Sequence, residues 1–405
     1  MTEDRPTQAA WRMLVILTGA VILSMTTWFS ATAILPQLTE QLALSGASQT
    51  WMTNGVQLGF VAGALAMSLV NLPDIAPLRI LMALAAALAA LANLALLVAP
   101  SADWAIAARI LTGVELSGVY PPALKLVATW FVRGRGIAMG AMIGGLTLVS
   151  AFPHLLRALA GGFDWRFVVA GASALTLLGA IVFIAFVHEG PHPFSRAVFD
   201  PRQIGRVIRN RPVALANLGY FGHMWELYAA WGWFLAFAGA ATVTQGLSPS
   251  SISLLAFAMV GAGFFGCIVA GFIADRIGRT ATTTIMMACS GACSILIGTL
   301  YDGPFGLFVA LALLWGATIV ADSAQFSAMT TEVGDRDLIG TALAFQLGIG
   351  FALTMISLTI VPMIAAAIGW RWAFVVLAPG PVIGIVAMQI LRRMPEAERI
   401  AHGRR

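Results

Sequence analysis

Tyr220, His223 and Glu226 place a phenol, an imidazole and a carboxylic acid at positions i, i+3 and i+6. On a helix that spacing puts them on roughly one face. The residues around them, 213–240, are otherwise mostly apolar. A carboxylate in low-dielectric surroundings holds its proton more tightly than in water, and a neighbouring imidazole can share or relay it. Glu226 and His223 are therefore the leading candidates for proton handling. The plainer alternative is a buried His–Glu hydrogen bond that only fixes helix packing.

Of 18 acidic residues, only Glu115, Glu226 and Asp322 fall inside apolar runs. Arg109, Lys125, His154 and His223 are the basic or titratable side chains placed likewise. Ionisable groups inside a membrane are costly and mark function. Asp322 shares a helical face with Thr318 and Gln325. It can bind a cation, carry a proton, or pair with Lys125 or Arg109. Glu115 and Lys125 also share a face, with Tyr120 and the pair Pro121-Pro122 between them. Two prolines remove backbone donors and should bend that helix. Lys125 either holds an anionic substrate or reaches for the interface. Trp28, Tyr228, Trp225, Trp231, Trp233 and Trp315 can supply an aromatic wall, or simply pack. Met286, Cys289 and Cys293 share a face and raise a soft-metal reading, which is set below transport. No nucleophile–base arrangement, zinc-protease motif or phosphate loop is present. Neither an enzyme nor a cofactor is expected.

The elements that carry these residues follow from composition. Of 405 residues, 59% are hydrophobic and only 10% charged, against roughly a quarter charged in soluble domains. Apolar runs of about 20 residues recur, long enough to cross roughly 30 Å of hydrocarbon. They are continuously apolar, as helices are and barrel strands are not. Twelve spans are predicted, at 12–35, 51–71, 78–99, 104–130, 136–158, 166–188, 213–240, 250–273, 281–300, 304–328, 339–365 and 371–391. The chain therefore reads as an all-α polytopic membrane protein.

The net charge of +5 comes from 22 Arg and one Lys, mostly at the ends of apolar runs. That is a topology signal rather than a nucleic-acid surface. Eighteen Arg fall on the side of the termini and three on the other, which places both termini in the cytoplasm. The segment 189–212 is rich in Arg and Pro and reads as a cytoplasmic linker. It separates an N-terminal six-helix bundle (1–188) from a C-terminal bundle with its tail (213–405). The halves echo each other. Trp165-Arg166 opens span six and Trp370-Arg371 opens span twelve. Laying Gly113 on Gly316 without gaps also lays Arg133 on Arg336, as a parallel duplication would.

Gly271-Phe-Ile-Ala-Asp275-Arg276-Ile-Gly278-Arg279, between spans eight and nine, resembles the cytoplasmic loop signature of the major facilitator superfamily of secondary transporters. Arg109-Ile-Leu-Thr-Gly113 is similar to that family's buried Arg followed by Gly. The equivalent loop between spans two and three keeps Asp74 and Arg79 but lacks the glycines. The resemblance implies twelve helices in two pseudo-symmetric bundles, with spans one, four, seven and ten lining a central cavity. It also implies that Asp275, Arg276, Gly278, Arg279, Asp74 and Arg79 lock helix ends in one conformational state.

The span-five antiporter pattern is absent, which tilts the reading from exchange towards uptake. The chain is broadly similar to the nitrate/cyanate-like branch. It lacks the arginines in spans two and eight that nitrate carriers use, so nitrate is excluded. The expected function is proton-coupled symport of a small organic anion by alternating access. Glu226, His223, Asp322 and Glu115 would carry protons. Arg109, Lys125, Tyr120, Trp28, Tyr220, Tyr228 and Gln325 would bind substrate. Proton-coupled efflux of amphipathic or cationic compounds is the alternative, ahead of a metal transporter or a membrane-embedded enzyme. The expected setting is a monomer in a bacterial inner membrane, with lipid, protons and a small molecule as partners and no nucleic acid.

Overall fold

The computed structural model describes residues 7–70, 72–131, 135–159, 164–192, 200–335 and 338–403. Every regular element among these residues is a helix. The chain divides into two compact units, Met1–Arg196 and Ala197–Arg405. The division falls inside the segment 189–212. In that segment a short helix, Ile204–Arg209, precedes the helix of span seven, which starts at Arg211.

Among the described residues nine helices are long and apolar enough to cross a membrane. They correspond to spans two, three, five, six and eight to twelve. The exceptions are spans one, four and seven. Span one is a 17-residue helix, Gln8–Ser24, followed by an interruption at 25–29 and the helices Ser30–Ala33 and Leu35–Leu42. It thus runs past the expected end at residue 35, because Pro36 lies in the first turn of a new helix. Span seven is one 30-residue helix, Arg211–Ala240, whose apolar run is diluted by Asn217, His223 and Glu226.

Span four consists of two helices, Ala102–Leu116 and Tyr120–Trp130, the second with proline in its first turn. Pro121 and Pro122 cannot donate to the carbonyls four residues earlier, at 117 and 118. The bend expected from the proline pair is therefore a full interruption. Span ten is interrupted as well, into Phe305–Ile319 and Ser323–Val333, although Val320-Ala321-Asp322 contains neither glycine nor proline.

These two interrupted spans are copies of one another. The offset that lays Gly113 on Gly316 is 203 positions (316 − 113). Added to Ala102, Leu116, Tyr120 and Trp130, it gives Phe305, Ile319, Ser323 and Val333, which are all four helix boundaries of span ten. It also carries Ser45, which caps the helix Gly46–Leu69, onto Ser248, which caps Pro249–Ile277. Each serine hydroxyl accepts from the amide three residues on, that of Ser48 or Ser251. The packing repeats too. A Cβ on Gly113 would collide with the carbonyl oxygen of Val56, and one on Gly316 with that of Met259, 203 positions further. Within a membrane, where lipid is as apolar as leucine, such close backbone approach supplies the dispersion contacts that join helices.

Candidate functional site

Each unit holds a buried node built around ionisable side chains. In the C-terminal unit, the helix of span seven is set by Asn210, whose side chain accepts from the amide of Val213, and by Pro212 in the first turn. His223 and Glu226 are both buried on it. The His223 Nδ1 lies 2.8 Å from Asp322 Oδ1 at the interruption of span ten. The hydrogen bonds of Glu226 go to other residues than His223, so the alternative of a His–Glu hydrogen bond that only fixes packing is not the arrangement found. Glu226 Oε1 accepts from Trp315 Nε1 at 2.8 Å, and its Oε2 accepts from Ser290 Oγ at 2.8 Å. Among the described residues, no hydrogen-bond partner reaches His223 Nε2. Aromatic rings enclose the node. Tyr220 lies 6.0 Å from the His223 ring and 6.3 Å from Phe326, and His223 lies 5.8 Å from Phe326. Tyr228 packs against Trp231 and Phe351.

Gln325 is not part of this node. Its Oε1 accepts from Arg279 Nη1 at 2.7 Å. The expected common face of Thr318, Asp322 and Gln325 assumed a continuous helix, and the interruption at 320–322 cancels that spacing. Arg279 also grips Glu332, donating from Nε at 3.2 and 3.1 Å and from Nη2 at 2.9 Å. The Ala401 amide donates to Glu332 Oε2, so the C-terminal segment joins the cluster. Gly278 closes the helix Pro249–Ile277 at φ 92°, a conformation that favours glycine. Arg276 is exposed beside it.

In the N-terminal unit, Arg109 is wholly buried and spends its donors on neutral oxygens. Its Nε donates to Met52 O at 3.1 Å, and its Nη1 to Thr27 O, Ser30 Oγ and Asn93 Oδ1 at 2.9, 3.2 and 3.1 Å. Its Nη2 donates to Trp28 O. Asn93 continues the network to Ser173 Oγ and Val169 O. The guanidinium thus joins spans one, two, three and four, and its charge is met by carbonyl and hydroxyl dipoles.

Lys125 Nζ donates to Pro73 O at 2.6 Å. Glu115 is half-buried in the last turn before the interruption and Tyr120 in the first turn after it, so Glu115 and Lys125 do not share one helical face. Trp28 is buried edge-on to Phe60, with ring centroids 4.9 Å apart. Arg79 is exposed in the first turn of Leu78–Leu94. Asp74 sits in the one-turn helix Leu72–Ile75, and its side chain lies outside the described residues, as do Arg133 and Arg336.

Sequence reasoning missed Trp315 and Ser290 as partners of Glu226, Asn93 as a partner of Arg109, and Glu332 as a partner of Arg279. Glu332 had been left outside span ten, which ends at Val333 rather than 328. At the Trp-Arg echoes, the Arg166 guanidinium pairs with Asp164 at 2.6 Å and lies 5.0 Å from the Trp165 ring. Arg371 pairs with Asp302. The Arg166 backbone amide and side chain, both donating to Asp164, hold that exposed carboxyl below the usual aspartate range.

Comparison with known proteins supplies a context for both nodes. The family model described as Major Facilitator Superfamily matches residues 17–247 and 227–405. The chain is 29% identical over 305 residues to the MFS-type transporter opdF of Penicillium oxalicum, covering 70% of this chain and 66% of that one. It is 28% identical over 326 residues to the niacin transporter NiaP of Acinetobacter baylyi, covering 70% and 69%. It is 28% identical over 262 residues to the agnestins efflux protein AgnL12 of Paecilomyces divaricatus, covering 61% and 54%. The chain spans 66% of the first of these relatives and about half of several others. A crystal structure of a bacterial homologue of the human lysosomal transporter Spinster, inward-facing and unoccupied, shares the fold. Its TM-score is 0.72 at 15% identity, covering 96% of this chain and 98% of that one.

Proposed function

Because this chain belongs to the Major Facilitator Superfamily, an integral membrane transporter family, we propose that it is a proton-coupled secondary transporter of a small organic anion. The observation that carries the coupling is the enclosed set Glu226, His223 and Asp322. Two acids and one imidazole hold from zero to three protons, so the charge of the node runs from −2 to +1 with proton occupancy. Burial makes each of those charge states differ steeply in energy. A group of this kind can bias one conformation over another as it gains or loses a proton. The two six-helix halves would alternate access to a common site, as repeat-built transporters do.

The solute class rests on two supports. The similarity to a niacin transporter points to a ring that bears a carboxylate. The rings of Tyr220, Tyr228, Trp231, Phe326 and Phe351 offer such a molecule aromatic contacts. The arginine asymmetry supports cytoplasmic termini, and uptake across a cell membrane by a monomer is the direction and form we assign. The second reading is efflux of an amphipathic or cationic compound. It is favoured by the buried acids and by the likeness to an efflux protein.

Reconstitution into liposomes tests both readings. Labelled pyridine or benzene carboxylates should enter faster when the outside is made acidic, and Glu226→Gln or Asp322→Asn should remove that acceleration while leaving solute exchange at equal pH. Acceleration by an acidic inside for lipophilic cations, with none for carboxylates, would replace this reading with the second.

A further inference from the structure

A groove of about 690 Å³ runs along the outside of the N-terminal unit between spans one and six. Arg12, Val15, Ile16, Gly19, Ala20, Leu23, Val182 and Phe186 line it. Arg12, at one mouth, is its single charge. The rest of the wall is apolar, and Gly19 and Ala20 form its floor. Among the described residues, nothing outside Gly19's own stretch of helix lies within 4 Å of where its Cβ would stand, so that glycine leaves space that no described helix fills. From Arg12 to Leu23 the helix rises about 17 Å at 1.5 Å per residue. That is close to the depth of one leaflet, half of a hydrocarbon core of about 30 Å.

We infer that this groove is a binding site for one anionic phospholipid of the leaflet on the N-terminal side. The phosphate pairs with the Arg12 guanidinium, a donor suited to phosphate oxygens. One acyl chain lies over Gly19 and Ala20, against Ile16, Leu23, Val182 and Phe186. Charge complementarity selects the headgroup, and the length of the groove selects a chain rather than a compact solute. The ligand braces span one on the side of the unit where spans one and six meet. This site is independent of the solute and of proton coupling.

The test uses the full chain purified in neutral detergent and mixed with phosphatidylglycerol or phosphatidylcholine of identical acyl chains. Retained lipid is counted by native mass spectrometry, and thermal stability is read in parallel. Phosphatidylglycerol should be retained in preference to phosphatidylcholine and should raise the unfolding temperature. Arg12→Gln should cut that preference about fivefold, the factor expected for one basic residue at a membrane surface. Gly19→Leu puts a side chain into the groove from a position whose Cβ meets nothing within 4 Å, and should lower retention of both lipids, with unfolding in lipid-free detergent unchanged. Arg393→Gln, an exposed site outside the groove, should change neither. Equal retention of both lipids, or retention unaffected by Arg12→Gln and Gly19→Leu, would overturn the proposal. So would an equal stabilisation by glycerol phosphate alone, which would make the site an anion site without a chain groove.

Discussion

Spans four and ten share all their helix boundaries at one constant offset, and at the same offset spans two and eight share their serine caps and the backbone that the contact glycines meet. Their chemistry does not follow that offset. Arg109 falls on Ala312, Trp315 on Thr112, and Asp322 on Val119. One scaffold thus carries a buried cation in one unit and buried acids in the other. The difference lies in what can change. A guanidinium stays protonated throughout the physiological range, so the node at Arg109 is a fixed charge tied down by oxygen dipoles. The node at Glu226, His223 and Asp322 has a charge set by its protons. The duplicated backbone supplies the frame, and substitution on it places a buried arginine in one unit and buried acids in the other.

The sharpest way to break this contrast is Arg109→Leu. It removes the guanidinium donor from the oxygens of Met52, Thr27, Trp28 and Asn93, of which Ser30 still serves only those of Thr27 and Asn93. We expect a loss of about 3–5 kcal/mol, read as lost folded yield and a lowered unfolding temperature in detergent. Arg109→Lys should rescue little, because an ammonium cannot reach the same fan of oxygens. Restored stability in the lysine variant would show that charge alone matters there. Next, Gly113→Val and Gly316→Val should each destabilise by about 1–3 kcal/mol through overpacking, and by similar amounts. A large effect at one and none at the other would refute equivalent packing.

Glu226→Gln keeps the volume and an acceptor for Trp315, while its amide nitrogen reverses the second bond by donating to the Ser290 hydroxyl. It should shift stability by under about 1 kcal/mol, yet remove acceleration of transport by a proton gradient. A variant that unfolds instead would make Glu226 a structural residue like Arg109. The smallest effect is expected at Asp164. Its carboxyl is held low by Arg166, so the interaction is present above the ordinary aspartate range and is lost as pH falls through the lowered value. In Arg166→Ala, NMR titration should find the Asp164 carboxyl raised only part of the way towards that range, because the backbone amide of residue 166, the larger cause, remains, with little change in unfolding temperature.

Much of the frame was legible in the sequence, because apolar length and the Gly113–Gly316 echo are direct readouts of helices and of their repetition. The interruption of span four was legible for a chemical reason, since Pro121 and Pro122 lack donors. The matching interruption of span ten carries no such residue and is visible only through the repeat. The nodes were half legible. Burial of Arg109, His223, Glu226 and Asp322 followed from their place in apolar runs. Their partners did not, because helical spacing relates neighbours on one helix and says nothing across an interruption or between helices. Hence neither the Asp322 neighbour of His223 nor the Arg279 partner of Gln325 could be read from spacing.

The interruption at 25–29 has a mechanical consequence. In an unbroken helix the carbonyls of Thr27 and Trp28 would be taken by amides four residues on. Here they face the guanidinium of Arg109. Rewinding span one would set helical amides in competition with the guanidinium for those two oxygens and leave it Met52 O, Ser30 Oγ and Asn93 Oδ1. The bend is thus tied to span four through two of its own carbonyls, so straightening span one and releasing Arg109 are one event rather than two.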